Sequence, residues 1–355
     1  MNELQTHFKI EKISNSRLPS VDFKNLRFGK EFSDHMFLAE YNDGEWTTAK
    51  IIPFQQLSFS PAACVFHYGQ AIFEGLKAHK TEDGRILLFR PEQNFARLNQ
   101  SAERMCMAEV PESFFIDGIK ELVRLDRDWI PEGEGQSLYI RPFLIADDEF
   151  LGVKPSDRYK FMVITSPTSN YYTGAVSVKI ESDYSRAAMG GIGAAKAAAN
   201  YAASLYPAQI AKKQGYDQLI WTDAKEHKFI EESGTMNLML VINNTLITPA
   251  LSGTILPGIT RDSILHLAKH WGMKVEERSI EVAELIEGLK SGKVDEAFGV
   301  GTAATIAPIK NIGYKENDYT LSDFKSWEFA NKAKNYLEGV KRGELSDDFG
   351  WTVEV

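Results

Sequence analysis

This chain of 355 residues has few cysteines, no excess of positive charge and few long apolar runs. The only cysteines are Cys64 and Cys106, so a disulfide framework is excluded and nothing indicates an oxidising compartment. Lys and Arg number 40 against 49 Asp and Glu, a formal net charge of -9. Since nucleic-acid binders usually carry a basic stripe, the composition argues against a nucleic-acid partner.

No segment of the sequence is suited to a membrane or to a secretory signal. Residues 1–12 alternate charged and apolar side chains and lack the apolar region of a signal peptide. Residues 187–206 approach membrane-spanning length, but glycines interrupt them and Lys196 lies at their centre. We therefore expect a cytoplasmic protein with no membrane partner.

Strand and helix patterns are mixed along the chain. An Asn-Asp-Gly turn predicts a hairpin over residues 37–46, and Pro91 begins a helical repeat of apolar residues. Later patterns predict strands at 176–181, 218–222, 228–232, 238–242 and 296–300, and helices at 202–215, 261–271, 282–292 and 324–342. Because strict βαβ alternation is missing and several strand pairs look antiparallel, the predicted fold class is α+β.

The length suggests two domains, at roughly 150 residues per domain. Residues 166–174 are rich in turn-forming side chains and are the best linker candidate. We expect a small N-terminal α+β domain over residues 1–170, an interdomain linker over 171–181 and a large C-terminal domain over 182–355.

Lys196 is the first candidate for chemistry, because its neighbours are glycines and alanines. Ammonium groups are seldom fully buried, and small apolar surroundings favour the neutral amine. An imine-forming amine needs such surroundings. The other interpretation is a lysine that extends into solvent from an alanine-rich helix.

Three further segments each allow a functional and a plain structural interpretation. Glu231-Glu232 enters a strand turn and could face a buried cation, or could be two ordinary turn acids. Pro257-Gly258 precedes a helix start, which is an anion site or simply a capped helix. Gly301-Thr302-Ala303 follows a strand and forms either an anion-binding nest or a tight turn.

Together these segments resemble the branched-chain amino-acid aminotransferases of the pyridoxal 5′-phosphate fold-type IV superfamily. The resemblance covers nearly all of the chain and is most specific in Glu232-Ser-Gly-Thr-Met-Asn237 and Leu256-Pro-Gly-Ile-Thr-Arg261. The other matching blocks are Phe28–Met36, His67–Lys77, Leu88–Pro91, Tyr139–Pro142 and the Gly301-Thr302-Ala303 turn. The resemblance implies a two-domain fold with the cofactor at the domain interface, bound mainly by the C-terminal domain.

The resemblance also implies a role for each cofactor-binding residue. Lys196 would be the catalytic residue, holding the cofactor as an internal aldimine and then moving a proton between substrate Cα and cofactor C4′. Glu232 would keep the pyridine nitrogen protonated, and Tyr201 would hydrogen-bond the phenolic oxygen. The phosphate would be bound by the Arg97 side chain, the Ile259 and Thr260 amides and the Thr302 hydroxyl.

For the substrate, the resemblance implies an α-carboxylate turn, an aromatic wall and one arginine. The Thr302 and Ala303 amides would bind the α-carboxylate, and Thr235 joins the substrate set through its matching block. Arg141 would neutralise the side-chain carboxylate of glutamate. The aromatic wall would comprise Phe28, Tyr68, Phe73, Tyr139 and Tyr171, the last uncertain by one position against Tyr172.

The activity implied is reversible amino transfer between leucine, isoleucine or valine and 2-oxoglutarate, giving branched 2-oxo acids and L-glutamate. This reaction is the final step of branched-chain amino-acid synthesis and the first step of their breakdown. The family also implies a homodimer, with each active site completed by a neighbouring subunit. A D-amino-acid aminotransferase, a lyase that releases pyruvate from aminodeoxychorismate and a non-enzymatic phosphate-ligand binder remain alternatives.

Two patterns are missing from the sequence. The Cys-x-x-Cys pair that some members carry after the Gly-Thr-Ala turn is absent, which excludes a thiol switch there. His266 and His270 have the spacing of a zinc-binding pair, but they lack the Glu of His-Glu-x-x-His and an evident third ligand. We therefore expect no metal.

Overall fold

Residues 8–47, 49–133, 135–169 and 174–355 are described by the computed structural model. The chain divides into two units. The first contains the described residues up to 169, together with Ala195–Ala199 and Gly339–Val355, and the second contains residues 174–194 and Asn200–Glu338.

The described residues contain nineteen strands and seven α-helices. The strands are β1 Lys9–Ile10, β2 His35–Asn42, β3 Glu45–Trp46, β4 Lys50–Pro53, β5 Ala71–Phe73, β6 Leu76–Lys80, β7 Ile86–Phe89, β8 Ser137–Ala146, β9 Tyr159–Thr168, β10 Val176–Ile180, β11 Gln218–Thr222, β12 Ile230–Ser233, β13 Met236–Ile242, β14 Thr245–Thr248, β15 Lys274–Glu277, β16 Val294–Gly301, β17 Thr305–Tyr314, β18 Asn317–Thr320 and β19 Thr352–Glu354. The helices are α1 Cys64–Tyr68, α2 Pro91–Arg104, α3 Gly118–Leu125, α4 Ala198–Lys213, α5 Ile259–His270, α6 Val282–Lys290 and α7 Phe329–Lys341.

The first unit contains one sheet whose pairings are antiparallel except for β1 with β4. Its order is β1-β4-β2-β9-β8-β6-β7-β19, with β3 on β2 and β5 on β8. In β2, Met36 and Leu38 belong to one buried cluster, while the ring of Phe37 packs against Phe161. This alternation is expected of a strand whose two faces are both covered.

Helix α3 covers part of this sheet through a glycine. A Cβ atom on Gly118 would lie 2.7 Å from Cε2 of Phe37, a ring that is fully buried. Only a residue without a side chain allows the helix backbone to approach the ring this closely. The packing of α3 on β2 therefore depends on this residue.

The second unit contains a mixed sheet in which six strands close into a ring. The path β12-β11-β10-β17-β16-β13 is closed by the pairing of β13 with β12, and β14, β15 and β18 extend it. Strand β10 lies parallel to both β11 and β17, whereas the β12–β13 and β16–β17 pairs are antiparallel. Branched aliphatic residues of these strands pack with Leu285 and Ile286 of α6 to form the main core.

The α+β prediction is confirmed, and so are several predicted elements. The predicted hairpin is β2 and β3, the helix from Pro91 is α2, and the strand at residues 218–222 is β11. Helix α4 begins at Ala198, four residues before its predicted start, because the alanines and Asn200 continue the helix toward its N-terminus. In the last predicted helix, residues 324–326 form a separate 3₁₀ turn before α7.

The two units differ from the domains predicted as 1–170 and 182–355 with a linker at 171–181. Residues 176–180 are strand β10, which lies inside the second sheet, and residues 170–173 lie outside the described part of the chain. Residues 195–199 and 339–355 group with the first unit. Residues 339–355 group with the first unit because they include strand β19, which pairs with β7 and extends the first sheet.

Within the described ranges, no helix combines the length and the apolar character that crossing a membrane requires.

Candidate active site

The backbone of Lys196 is fixed within the first unit. Its carbonyl accepts from the Phe73 amide at 3.1 Å, and its own amide donates to Ser101 Oγ at 2.9 Å. The next residue, Ala197, forms an antiparallel bridge with Ile72 of β5. Lys196 therefore precedes helix α4, and the interpretation of a lysine extending from an alanine-rich helix is wrong.

The Lys196 side chain lies next to the aromatic ring of Phe73. The distance from its Nζ to the ring centroid is 4.9 Å, which is within the range of a cation–π contact. Its neighbours Ala195 and Ala197 are buried, as the small-residue pattern predicts. The amine is thus placed by backbone contacts on both sides and by one ring at its tip.

A continuous series of contacts extends from Phe73 to three other predicted substrate residues. The Arg141 guanidinium carbon lies 4.5 Å from the Phe73 centroid and 5.3 Å from the Tyr139 centroid. Arg141 Nη2 also donates to the Tyr139 hydroxyl at 2.9 Å, and the Tyr139 ring meets Phe28 edge-on at 4.8 Å. Four predicted substrate residues are thus brought together beside Lys196.

Arg141 has one N–H group that these contacts do not satisfy. Its Nε is buried and has no hydrogen-bond partner among the described residues. A buried donor left without an acceptor costs about 1–3 kcal/mol, which a bound carboxylate oxygen would recover. This donor leaves Arg141 able to form one further hydrogen bond beside the aromatic rings.

Arg97 is also buried in the first unit, where it forms a bidentate pair with Glu74. Arg97 Nε donates to Glu74 Oε1 at 2.7 Å, and Nη2 donates to Oε2 at 2.9 Å. Complete burial disfavours a charged Glu74, but the Arg97 guanidinium and the Lys196 ammonium outweigh burial and hold the pKa of Glu74 below its usual value. The predicted phosphate arginine is therefore oriented by a buried carboxylate.

Two predicted aromatic residues are not part of this series of contacts. Tyr68 ends helix α1, is 41% exposed and donates its hydroxyl to the Leu151 carbonyl. Tyr171, like its neighbour Tyr172, lies outside the described residues.

In the second unit, Glu232 is a buried carboxylate held by polar neighbours. Its Oε2 lies 2.9 Å from Nε of Arg186 in an ion pair, and its Oε1 accepts from the Leu256 amide at 2.8 Å. The Asn237 side chain approaches Oε1 at 3.4 Å. Arg186 is itself positioned by its Nη2, which donates to the carbonyls of Gly193 and Thr254.

The adjacent acid, Glu231, has a different environment. Consecutive side chains of a strand point to opposite faces, so the two neighbouring carboxylates are separated. Burial raises the pKa of Glu231, and Thr254 Oγ1 donates to its Oε1. Of the two acids that the sequence left open, Glu232 is the one that forms an ion pair with a buried cation.

Helix α5 begins at Ile259 without a side-chain cap, directly after Gly258. A Cβ atom on Gly258 would lie 2.0 Å from Oδ1 of Asn237, so this close approach requires glycine. Thr260 is buried in the first turn, where helix amides and the helix dipole favour an anion. The predicted anion site therefore has the backbone form that the sequence indicated.

The remaining predicted residues of the second unit lie at turns and at a helix start. Thr235 is exposed in the turn between β12 and β13, and Thr302 and Ala303 are half-buried in the turn between β16 and β17. Tyr201 is half-buried in the first turn of α4. The turn positions agree with the predicted turns, whereas Tyr201 lies inside α4 because this helix begins before its predicted start at residue 202.

Sequence reasoning missed Glu74 and Arg186, which contact the predicted residues Arg97 and Glu232. Glu74 is a lone acid directly after the apolar residues Ala71–Phe73, and Arg186 is a lone cation before the glycine- and alanine-rich segment. Such isolated charges were the only available signal. Their partners could not be identified, because the pairs join elements that are distant in sequence.

In the described part of the chain, no group of three or more His, Cys, Asp or Glu is arranged to hold a metal ion. Within helix α5, His266 Nδ1 forms a hydrogen bond with the Asp262 backbone carbonyl at 2.8 Å.

Comparison with known proteins identifies the family of this chain. The family model of amino-transferase class IV matches residues 71–312. Branched-chain-amino-acid aminotransferase 2 of Bacillus subtilis (strain 168) is 46% identical over 348 residues, which cover 97% of this chain and 96% of that protein. Two solved structures are also similar.

The first is the branched-chain amino acid aminotransferase of Escherichia coli, with a TM-score of 0.73 and 26% identity over 90% of this chain and 98% of that one. The second is the branched-chain amino acid aminotransferase of Thermobaculum terrenum in its PLP form. Its TM-score is 0.73, with 23% identity over 92% of this chain and 99% of that one, which shows the fold alone. The family model and the extent of the identity show that this chain belongs to the class IV aminotransferases, a family of pyridoxal-phosphate enzymes.

Proposed function

We propose that this enzyme transfers amino groups reversibly between leucine, isoleucine or valine and 2-oxoglutarate, with glutamate as the other product. The observation that carries the proposal is the series of contacts from Lys196 through Phe73 and Arg141 to Tyr139. It joins an amine, apolar rings and an orphaned guanidinium donor. The names of the similar proteins support branched-chain amino acids as substrates.

The side chains fit pyridoxal 5′-phosphate as the cofactor. Lys196 offers an amine for its aldehyde, and Arg97 offers a guanidinium for its phosphate. The uncapped start of α5, with Ile259 and Thr260, offers backbone amides for the same dianion. Glu232 offers a buried carboxylate for the pyridine nitrogen, and the Tyr201 and Thr302 hydroxyls are assigned to the phenolic oxygen and the phosphate.

Lys196 has two roles in the proposed reaction. It would bind the cofactor covalently, and its amine, when free, would take the proton from substrate Cα and deliver it to cofactor C4′. The cofactor, when bound, supplies an aldehyde that accepts the amino group and a ring that withdraws electrons from Cα. Glu232 would support this withdrawal by holding a proton on the ring nitrogen, while Arg186 and the Leu256 amide keep its carboxylate in place.

Substrate recognition is assigned to the aromatic rings, Arg141 and the turns. Phe28, Phe73 and Tyr139 bury branched aliphatic side chains, and Tyr68 and Tyr171 are proposed to complete this wall. Arg141 pairs with the side-chain carboxylate of glutamate. The amides of Thr302 and Ala303 bind the α-carboxylate, with Thr235 beside them as a further substrate contact.

The enzyme is proposed to act as a homodimer. An apolar patch of the first unit comprises Phe66, Phe150, Leu151 and Val153, of which Leu151 is 63% and Val153 88% exposed. Two hydrogen bonds join helix α1 to the segment that carries Phe150, Leu151 and Val153. The Cys64 amide donates to the Asp148 carbonyl, and the Tyr68 hydroxyl donates to the Leu151 carbonyl. A second copy of the chain would cover it with an interface of about 1,000 Å² or more.

Replacement of Lys196 by alanine is expected to abolish both amino transfer and covalent cofactor binding. Pyridoxal phosphate added to the variant should give no lasting visible band, and borohydride should fix no label. Lys212→Ala, on an exposed position of α4, should keep both properties. A label fixed to another side chain of the unaltered protein would contradict the role of Lys196.

A panel of amino donors tests the proposed substrates. With 2-oxoglutarate as acceptor, leucine, isoleucine and valine should all form glutamate, and D-alanine should not. Aminodeoxychorismate should release no pyruvate. Failure of all three branched donors while D-alanine or aminodeoxychorismate reacts would overturn the substrate assignment.

Replacement of Arg141 by glutamine should separate the two classes of acceptor. With valine as donor, kcat/KM for 2-oxoglutarate should fall about 10- to 100-fold, because a charge-assisted contact to its side-chain carboxylate is lost. The value for 4-methyl-2-oxopentanoate should change far less. Arg124→Gln on α3 is the control, and an equal fall for both acceptors would rule out the proposed contact.

Replacement of Val153 by aspartate should dissociate the proposed dimer, since it places a charge at the most exposed position of the apolar patch. Sedimentation velocity should show dimers for the unaltered protein and for the isosteric Val153→Thr variant, and monomers for Val153→Asp. A monomeric unaltered protein would refute the proposal.

A further inference from the structure

Glu74 is a fully buried acid to which the reaction proposed above gives no role. It follows strand β5, directly after Phe73, and its exposed fraction is 0%. Both of its carboxylate oxygens accept from Arg97. An acid is rarely buried to this extent unless it is paired, so the pair with Arg97 explains how the fold tolerates it.

Arg97 depends on this carboxylate as well. The guanidinium is planar and has five N–H donors in a fixed arrangement, so a bidentate contact fixes both its plane and its direction. Arg97 is only 6% exposed, and a buried cation without a counter-charge pays a desolvation penalty. Without Glu74, the arginine would gain by turning toward water.

The Glu74 carboxylate is itself held by neighbouring groups. Asn94 Nδ2 donates to Oε2 at 2.7 Å, and the Gly75 amide donates to the same oxygen at 3.2 Å. The Glu74 amide donates to the Pro142 carbonyl of β8 at 2.8 Å, which anchors the residue to the sheet. Because Glu74 is fixed to the sheet, its carboxylate holds the guanidinium at a defined position relative to the sheet.

We propose that Glu74 is the positioning residue for cofactor phosphate binding, holding the Arg97 guanidinium in the one orientation that binds the phosphate. The inference rests on the proposed function, in which Arg97 contacts that phosphate. It adds a residue that touches neither substrate nor cofactor but determines how well the phosphate is bound.

A purely electrostatic role for Glu74 predicts an effect of opposite sign. A carboxylate next to Arg97 reduces the positive charge available to a phosphate dianion. If charge were decisive, removing the carboxylate would strengthen phosphate binding. If orientation is decisive, the same change weakens it, because glutamine has a single acceptor oxygen and cannot form the two parallel bonds that Glu74 forms with Nε and Nη2.

The test compares pyridoxal phosphate with pyridoxal, which differ only in the phosphate. Holoenzyme is stripped of cofactor, and the dissociation constant of each compound is measured by absorbance titration. The unaltered protein should prefer the phosphorylated compound. In Glu74→Gln, and in Glu74→Asp, which keeps the charge but shortens the side chain, this preference should fall about tenfold or more. Binding of pyridoxal itself should change little.

A matched control removes a different ion pair of the same sheet. Glu40 pairs with Lys160, and Glu40→Gln should leave the preference for phosphate unchanged. If both Glu74 variants fail to fold, Asn94→Ser removes the donor that holds Oε2, and the preference should fall in the same direction by a smaller factor.

Unchanged preference in the folded Glu74 variants, or a stronger preference in Glu74→Gln, would overturn the inference. Failure of the proposed function has a different signature, because the unaltered protein would then bind neither compound covalently or show no preference between them.

Discussion

Buried charge is the constraint that organises the candidate site in each unit. In the first unit Glu74 and Arg97 form a bidentate pair, and in the second unit Glu232 forms an ion pair with Arg186. Removing one partner of a buried pair leaves an uncompensated charge and typically costs about 3–5 kcal/mol. Such groups are therefore held in one arrangement, which is the property that a binding site for a charged cofactor needs.

Three residues of the candidate site lie in short connections beside regular elements, whereas others, such as Arg97 of α2 and Glu232 of β12, lie within the elements themselves. Lys196 precedes α4, Glu74 follows β5 and Gly258 precedes α5, so each connection is anchored by a strand or a helix. Backbone hydrogen bonds fix the connection, as the two contacts of Lys196 with Phe73 and Ser101 show. A residue in such a connection is thus placed by the strand or helix next to it.

The sequence predicted the local features well and the distant pairings poorly. Pro91 at the start of α2 and Gly258 before α5 are readable because capping and turn preferences act over a few residues. The pairs Glu74–Arg97 and Arg186–Glu232 could not be predicted from the sequence, because they form only when separate elements pack. The return of residues 339–355 to the first sheet has the same cause, since β19 finds its partner strand β7 only in the folded chain.

The environment of Arg141 suits the proposal that one pocket accepts both aliphatic and acidic side chains. Its guanidinium already lies against the rings of Phe73 and Tyr139, so much of its surface is withdrawn from water before any substrate binds. Arginine is more weakly hydrated than lysine, which keeps the cost of this arrangement low. An aliphatic side chain therefore displaces little water from the charge, whereas a carboxylate gains the orphaned Nε donor. A lysine at this position would lose the stacking and the fixed donor geometry together, so the proposed dual specificity requires arginine in particular.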